Sequence, residues 1–290
     1  MLAFKKILFP TDFSPNADKA LAHAIRLADF DDGEVIVQHV VGNYFETHPH
    51  WTTIFDVREF QKFMDGYVAA HMSKIIPKSS GKVRVHSVIS KGKPAEEIAA
   101  LADRESVDMV VMGSAKGVVT NNVIRLTGRP VLAVSAAQPK VDEVGLKKLT
   151  KILVATDFSA HSRRVIEYAF DLKRIFDATI YMLYVIETGQ AIEWAIRQGH
   201  FVHSIDKMRE WATNQLINLT PDEFMNDPSV IRLVETGSPG DAIADVAFEI
   251  GADLTILGTH EYGAVRKYLL GTTTDKLLTK TSTAVLTVKL

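Results

Sequence analysis

Short apolar runs alternate with longer segments of helical periodicity along the chain. The runs of the first half are rich in Val and Ile and are apolar on both faces, which is typical of buried parallel strands. They cover residues 4–10, 34–41, 83–90, 107–112 and 130–135. Strands that alternate with helices predict a parallel sheet wound by right-handed crossovers.

The segments between the runs have the periodicity and the end signals of amphipathic helices. Ser14 is expected to cap the first helix, with Pro15 at its first position. The residues expected on its buried face are Ala17, Ala20, Leu21, Ala24, Leu27 and Ala28. Residues 94–104 repeat the pattern, and residues 239–250 repeat it in the second half.

The chain also repeats itself. Residues 6–14 read KILFPTDFS and residues 151–159 read KILVATDFS, an offset of 145 positions. The same offset aligns Gly92 and Pro94 with Gly237 and Pro239, and it holds as far as Gly113 and Gly258. After that point, residues 131–134 match residues 285–288 at an offset of 154. The first copy is therefore nine residues shorter between its fourth and fifth strands.

A repeat this long predicts two domains, each with its own core. We expect residues 1–137 and 149–290 to form two five-stranded α/β domains with Rossmann-like parallel sheets. The segment 138–148 is polar and contains Pro139 and Gly145, so it is the predicted linker.

Composition narrows the class of protein. A chain of 290 residues with 47% apolar and 23% charged residues can bury two full cores. The 33 basic and 35 acidic residues form no long block of one sign, which argues against nucleic-acid or membrane partners. The absence of cysteine excludes disulfides, thiol nucleophiles and cysteine metal sites. Without a signal-peptide pattern or a long apolar run, the expected location is cytoplasmic.

Polar residues follow the first and fourth strands of each copy. In the second copy, Thr156 and Asp157 end the first strand, and Gly258 and Thr259 end the fourth. Ligands of such sheets bind beyond the carboxyl ends of the strands, where the winding direction reverses. Asp157 and its counterpart Asp12 have two interpretations: they contact a ligand, or they hold the turn that starts the first helix.

These features resemble tandem members of the universal stress protein family. TDFS after the first strand, a G-x-P-x-x-x-I helix start and a fourth strand that ends in G-[ST] occur in both halves. The resemblance implies domains like those of the adenine-nucleotide alpha-hydrolases. It also implies a pseudo-dimer in which the last strands, residues 131–135 and 284–289, pair antiparallel.

In the nucleotide-binding branch of this family, a G-x2-G-x9-G-[ST] loop after the fourth strand holds phosphates. The second copy matches at Gly258, Gly271 and Thr272, but Glu261 replaces the second glycine. A carboxylate about 4 Å from a phosphate costs roughly 1 to 4 kcal/mol, and a helix N-terminus returns about 0.3 to 1 kcal/mol. Glu261 therefore weakens a triphosphate site unless its side chain turns to solvent or Mg²⁺ bridges it to the phosphates.

The resemblance implies that ATP or another adenine nucleotide binds in the second domain, with Mg²⁺ as a candidate ion. The implied site residues are Thr156, Asp157, Val185, Gly258, Thr259, His260, Gly271, Thr272 and Thr273. The first domain has no G-[ST] pair in register, so its phosphate loop is degenerate and we expect no triphosphate there.

The function implied is a stress-response binding or signalling module with an unidentified protein partner. One alternative is a slow metal-dependent ATP hydrolase in which His260 or Glu261 positions water or metal. Another is a scaffold that binds no nucleotide, or an apolar ligand instead. The sequence assigns no catalytic residue, because it has no serine–histidine–acid set, P-loop lysine or paired carboxylates.

Two other groups of residues have weaker functional interpretations. His48 with His50, and His200 with His203, could each supply two metal ligands, but neither pair has a third ligand nearby and a surface position is favoured. Residues 42–82 and 188–228 carry aromatic side chains at helical spacings, which we expect to pack against a sheet or the other domain. An apolar pocket beneath them is the alternative. The chain is expected to be a monomer or a homodimer.

Overall fold

The computed structural model describes residues 4–42, 56–75, 83–114, 118–135, 149–159, 162–259 and 272–289. These residues fall into two compact units, one in each half of the chain. Each unit is an α/β domain whose described residues include five strands. The predicted linker, residues 138–148, lies outside the described residues, so the domain boundary stays a prediction.

The first unit alternates strands and helices in chain order. Its elements are β1 (Lys6–Pro10), α1 (Pro15–Asp29), β2 (Glu34–Val41), α2 (Val57–Ile75), β3 (Arg84–Lys91), α3 (Pro94–Arg104), β4 (Met109–Ser114), α4 (Val118–Leu126) and β5 (Val131–Ser135). The strand order is β3-β2-β1-β4-β5, and β1 pairs in parallel with both β2 and β4. The winding direction therefore reverses between β1 and β4.

The described residues of the second unit repeat this topology and include one more helix than those of the first unit. Its elements are β6 (Lys151–Ala155), α5 (Ser162–Phe176), β7 (Thr179–Glu187), α6 (Gln190–Arg197), α7 (Val202–Leu219), β8 (Val230–Gly237), α8 (Pro239–Glu249), β9 (Leu254–Thr259), α9 (Thr272–Lys280) and β10 (Ala284–Lys289). The order is β8-β7-β6-β9-β10, and all neighbours pair in parallel. Here the winding reverses between β6 and β9.

The first helix begins where the sequence predicts. The Ser14 hydroxyl accepts the N–H of Ala17 at 3.3 Å, which satisfies a donor that the helix itself leaves unpaired, and Pro15 starts α1. All six apolar residues predicted for the inner face of α1 are buried. Their burial against the sheet stabilises the helix more than intrinsic propensity does.

One predicted strand is in a different environment from the one expected. Residues 83–90 were expected to be buried on both faces, but β3 is an edge strand that pairs only with β2. Its residues alternate between exposed and half-buried, and Ile89 is 47% exposed. An apolar run does not reveal whether a strand is central or at an edge, because that depends on the order of strands in the sheet.

Candidate functional site

The residues that follow the first strand of each unit form the same turn. In the second unit, Thr156 Oγ1 accepts the N–H of Phe158 at 3.2 Å. Asp157 Oδ1 accepts the N–H of Ser159 at 3.0 Å and the hydroxyl of Ser162 at 2.5 Å. These bonds hold the chain between β6 and α5. Asp157 therefore has the turn-holding role that its sequence context left open, and its side chain is also exposed.

The first unit has two of these three bonds at nearly the same distances, and Ala17 stands where the second unit has Ser162. Phe13 N–H donates to Thr11 Oγ1 at 3.0 Å, and Ser14 N–H donates to Asp12 Oδ1 at 2.9 Å. Because both units contain this turn, it has a structural role in the fold as well as any role in a ligand site. A change at Asp12 therefore measures the part of the structural effect that the two turns share, and the bond from Ser162 adds to the effect at Asp157.

A phenylalanine in each turn has a left-handed backbone conformation. Phe13 has φ 61° and Phe158 has φ 59°, values that cost a residue with a side chain roughly 1 to 2 kcal/mol. The Phe158 ring stacks on Tyr184 at 4.3 Å between centroids and meets Trp211 edge-on at 5.4 Å. The Phe13 ring stacks on His39 at 4.5 Å. These contacts fix the turn at the carboxyl edge of each sheet.

The internal repeat of the sequence contains a signal for these ring pairs. The offset of 145 positions aligns Phe13 with Phe158 and His39 with Tyr184, so both members of the stacked pair recur. Burial raises the pKa of Tyr184 above its ordinary value, and the negative charges of Asp157 and Glu187 raise it further. The edge of the second sheet beside Asp157 is therefore aromatic and negatively charged.

Val185 is part of the apolar core below this edge of the second sheet. It is buried in a cluster that contains Leu183, Ile243, Leu257 and Leu277. The cluster joins strands β7 and β9 to helices α8 and α9. The surface beside Val185 thus suits an apolar, flat group rather than a charged one.

The predicted phosphate end is described at its two borders. Gly258 and Thr259 end β9, where they pair with Val288 and Lys289, and both are half-buried. Helix α9 begins at Thr272, and Thr273 is half-buried in its first turn. His260, Glu261 and Gly271, and the side chain of Thr272, lie outside the described residues.

Helix α9 is held tightly against α8. A Cβ atom at Gly240 would lie 2.8 Å from Cβ of Lys276 and 3.0 Å from the carbonyl oxygen of Thr273. Lys276 Nζ donates to Ser238 Oγ at 3.0 Å and to Asp241 at 3.2 Å, and Lys280 also donates to Asp241. Hydrogen bonds from Lys280, then from Ser238 and Lys276, lower the pKa of Asp241 to about 2. The close packing fixes where the first turn of α9 lies.

The first unit differs at the corresponding place. Helix α4 begins at Val118, so residues 115–117 alone separate it from β4, whereas residues 260–271 separate β9 from α9. Thr120 Oγ1 donates to the carbonyl oxygen of Gly113 at 3.5 Å, which draws α4 onto the end of β4. The exposed residues at the start of α4 are Val118 and Val119 rather than threonines. The connection after β4 is therefore nine residues shorter than the connection after β9.

The described residues do not add support for the interpretation of the histidine pairs as metal ligands. His200 and His203 are exposed, and the described part of the chain contains no cluster of three metal-ligating side chains. His48 and His50 lie outside the described residues. No helix in the described ranges is long and apolar enough to cross a membrane.

The expectation that the aromatic side chains are packing surface is only partly correct. Trp211 packs on Phe158, and Tyr67 contacts Phe13 at 6.1 Å between ring centroids. Phe63, Trp194 and Phe201, in contrast, are exposed over 60 to 66% of their surfaces. A helical spacing of aromatic residues does not predict burial where a helix covers only the edge of a sheet.

Comparison with known proteins gives consistent matches. The model of the universal stress protein family matches residues 3–135 and again residues 148–289. A universal stress protein of Methanocaldococcus jannaschii is 30% identical over 153 residues, which cover 45% of this chain and 94% of that protein. A second universal stress protein of the same organism is 31% identical over 144 residues, covering 45% of this chain and 82% of its own length.

Solved structures resemble the chain over different lengths. A universal stress protein from Archaeoglobus fulgidus, 21% identical, covers 100% of this chain with a TM-score of 0.73, and this chain covers 98% of it. A universal stress protein solved in complex with cAMP is 20% identical and covers 49% of this chain and 98% of its own, with a TM-score of 0.35. The full-length match has the same tandem fold.

Proposed function

Because the chain belongs to the universal stress protein family and has one family domain in each half, we propose that it is a binding or signalling module that holds ATP or a related adenine nucleotide in its second domain. Binding of the nucleotide would change how the protein binds a partner protein. A cytoplasmic location is part of this proposal. The first domain does not bind triphosphate in this scheme.

The observation that carries the proposal is the difference in length between the two connections. Twelve positions, 260–271, lie between β9 and α9, whereas three positions, 115–117, lie between β4 and α4. Backbone N–H groups at the start of a helix bind phosphate, and the helix dipole favours the negative charge. A long loop that ends in Thr272 and Thr273 supports a phosphate site in the second domain only.

Each proposed site residue has a place relative to the nucleotide. Thr156, Asp157 and Val185 would lie at the base and ribose end, where the surface is apolar with a carboxylate beside it. The remaining proposed residues would surround the phosphates: Gly258, Thr259, His260, Gly271, Thr272 and Thr273. Mg²⁺ is proposed as a bridge between the phosphates and Glu261, because hard oxygen ligands suit that ion.

A matched pair of variants separates ligand binding from the structural role of the turn. Asp157→Asn keeps an amide oxygen that can accept the N–H of Ser159 but removes the charge, and Asp12→Asn makes the same change in the first domain. We expect a small loss of stability in Asp12→Asn and a somewhat larger one in Asp157→Asn, because Asp157 also accepts the Ser162 hydroxyl. We expect Asp157→Asn to weaken ATP binding by about tenfold, since a charge-assisted bond contributes roughly 1.5 to 3 kcal/mol.

The measurement is calorimetric titration of both variants with ATP, alongside urea unfolding. Equal ATP affinity in Asp157→Asn and Asp12→Asn would contradict the placement of the ribose at Asp157.

Two measurements distinguish a binding module from an ATP hydrolase. The protein is titrated with ATP, ADP and AMP, with and without Mg²⁺, and the products are then analysed. Binding without turnover supports the module, and turnover that disappears in Glu261→Ala supports a metal-dependent hydrolase. No binding at millimolar nucleotide supports the scaffold. Glu261→Gly restores the glycine of the family pattern, and without Mg²⁺ we expect it to raise ATP affinity because it removes a negative charge beside the phosphates. With Mg²⁺ the variant also loses the proposed bridge, so the gain in affinity should shrink or disappear.

A further inference from the structure

Strand β3 has backbone groups that face away from the rest of the first sheet. The N–H of Arg84 bonds to the carbonyl oxygen of Gly33, so Arg84 and every second residue after it face β2. The residues between them direct their N–H and C=O groups outward, where the described part of the chain places no further strand. These residues, which form the β3 edge, are Val85, Ser87, Ile89 and Lys91. An edge of this kind can pair with another chain.

The second unit also has an edge strand at this place, but its outer side is covered. All residues of β8 are buried or half-buried, and Arg209 on α7 donates to the carbonyl oxygen of Val234. That carbonyl group faces outward, because Ser229 and every second residue after it face β7. The offset of 145 positions aligns Val234 with Ile89. Arg209 therefore lies where an additional strand would pair with β8.

Helix α2 of the first unit has no equivalent of Arg209. Helices α2 and α7 begin 145 positions apart, and this offset aligns Arg209 with Met64. The buried residues Val68 and Ala212 of the two helices are 144 positions apart, an offset that makes Asp65 the counterpart instead. Neither a thioether nor a carboxylate can donate a hydrogen bond to a carbonyl oxygen. Helix α2 therefore cannot cover the β3 edge in the way that α7 covers β8.

Basic residues give the β3 edge a positive charge. Residues 82–93 contain four basic and no acidic residues, whereas the aligned residues 227–238 contain one basic and two acidic residues. Lys93 is paired with Glu96, but Arg84 and Lys91 are exposed and form no ion pair with a described residue. A second copy of the chain at this edge would bring like charges together, whereas an acidic segment would bring opposite charges together.

We infer that the β3 edge is a docking site for an extended, acidic segment of a partner protein, which adds to the first sheet as a strand beside β3. The backbone of the segment pairs with the outward groups of β3. Its acidic side chains lie near Arg84 and Lys91, and an apolar side chain covers the exposed part of Ile89. The site belongs to the first domain, so it does not depend on nucleotide binding in the second.

Two ten-residue peptides test the inference. One alternates valine with glutamate, and the other has lysine in place of glutamate. We expect the glutamate peptide to bind the full chain about tenfold more tightly, because opposite charges attract and like charges repel across paired strands. Fluorescence anisotropy of labelled peptides measures both affinities. Equal affinities, or no binding of the glutamate peptide at millimolar concentration, overturn the inference.

Hydrogen exchange distinguishes the addition of a strand from a contact between charged side chains alone. The amides of Ser87 and Ile89 face outward, and we expect saturating glutamate peptide to slow their exchange by about tenfold or more. The amides of His86 and Val88 face β2 and should exchange slowly with and without peptide. Unchanged exchange at Ser87 and Ile89 overturns the inference. Slow exchange there without peptide also overturns it, because another segment or a second copy then already covers the edge.

Ser87→Pro removes one outward N–H and leaves the bonds to β2 in place, and proline is tolerated at such positions of edge strands. We expect this variant to bind the glutamate peptide about tenfold more weakly, since one backbone hydrogen bond is lost and its partner stays unpaired. Ser87→Ala keeps the N–H and is the matched control, so it should bind like the unmodified chain. Unchanged binding by Ser87→Pro overturns the inference.

A charge reversal at the exposed side chains keeps the test decisive if Ser87→Pro does not fold. Arg84→Glu combined with Lys91→Glu should make the chain prefer the lysine peptide. Lys62→Glu combined with Lys207→Glu changes the net charge by the same amount at exposed positions of α2 and α7, and it should leave the preference for the glutamate peptide in place. The same preference in both double variants overturns the inference.

Discussion

At the scale of the residue, the turn after the first strand depends on a strained phenylalanine and the ring beneath it. Phe158 has a left-handed backbone, and its ring contacts Tyr184 and Trp211. The sequence predicts that Thr156 and Asp157 end a strand. It does not predict the conformation of Phe158, because positive φ is usually associated with glycine or asparagine.

Phe158→Leu tests how much the ring contacts stabilise the turn. The variant keeps the backbone strain of a residue with a side chain but loses the aromatic contacts, so we expect the second domain to lose about 1 kcal/mol of unfolding free energy. Urea unfolding measures this loss. Phe248→Leu removes a ring that is 80% exposed and should change stability by less than about 0.5 kcal/mol. Equal losses in both variants would contradict the role given to the stacked rings.

His23 on α1 makes stability depend on pH. Burial, and then the positive charge of Arg26, lower the pKa of His23 from 6.5 to about 4. The unfolded chain therefore binds a proton between pH 6.5 and 4 that the folded chain does not. Stability is complete above pH 6.5 and decreases as the pH falls towards 4, by at most about 3 kcal/mol.

His23→Asn should remove this part of the pH dependence, and His203→Asn, at an exposed position, should not. Thermal unfolding of the three proteins between pH 4 and 7.5 makes the comparison. Parallel profiles for the unmodified chain and His23→Asn would contradict the lowered pKa of His23 in the folded chain.

At the scale of the element, sequence patterns predict the features of a helix or strand that depend on local interactions. The start of α1 follows from Ser14 and Pro15, and its buried face follows from the periodicity of apolar residues. The edge position of β3 and the full burial of the polar residue Gln38 in β2 do not follow from such patterns. Both depend on strand order and on contacts between residues far apart in the chain.

Gly240→Ala tests the packing of α8 against α9. The new Cβ atom would lie 2.8 Å from Cβ of Lys276, too close for both helices to keep their positions. We expect a loss of about 1 to 3 kcal/mol in stability and weaker ATP binding, because the first turn of α9 must shift. Gly66→Ala, in a helix where the added atom meets nothing within 4 Å, should instead stabilise the chain by about 0.5 to 1 kcal/mol. Urea unfolding of both variants gives the comparison, and a neutral Gly240→Ala would contradict the close packing.

At the scale of the whole molecule, two copies of one domain differ in the length of the connection after the fourth strand. The repeat predicts the two units, and both belong to the universal stress protein family. The antiparallel pairing of the two last strands stays a prediction from that resemblance. The shorter connection of the first copy limits the proposed triphosphate site to the second copy.

Calorimetric titration of the full chain with ATP and Mg²⁺ measures this asymmetry directly. We expect one ATP per chain. Removal of residues 262–270 would give the second copy the connection length of the first, and we expect that deletion to abolish binding while leaving the domain folded. Two ATP molecules per chain, or unchanged affinity after the deletion, would contradict the placement of the nucleotide in the second domain.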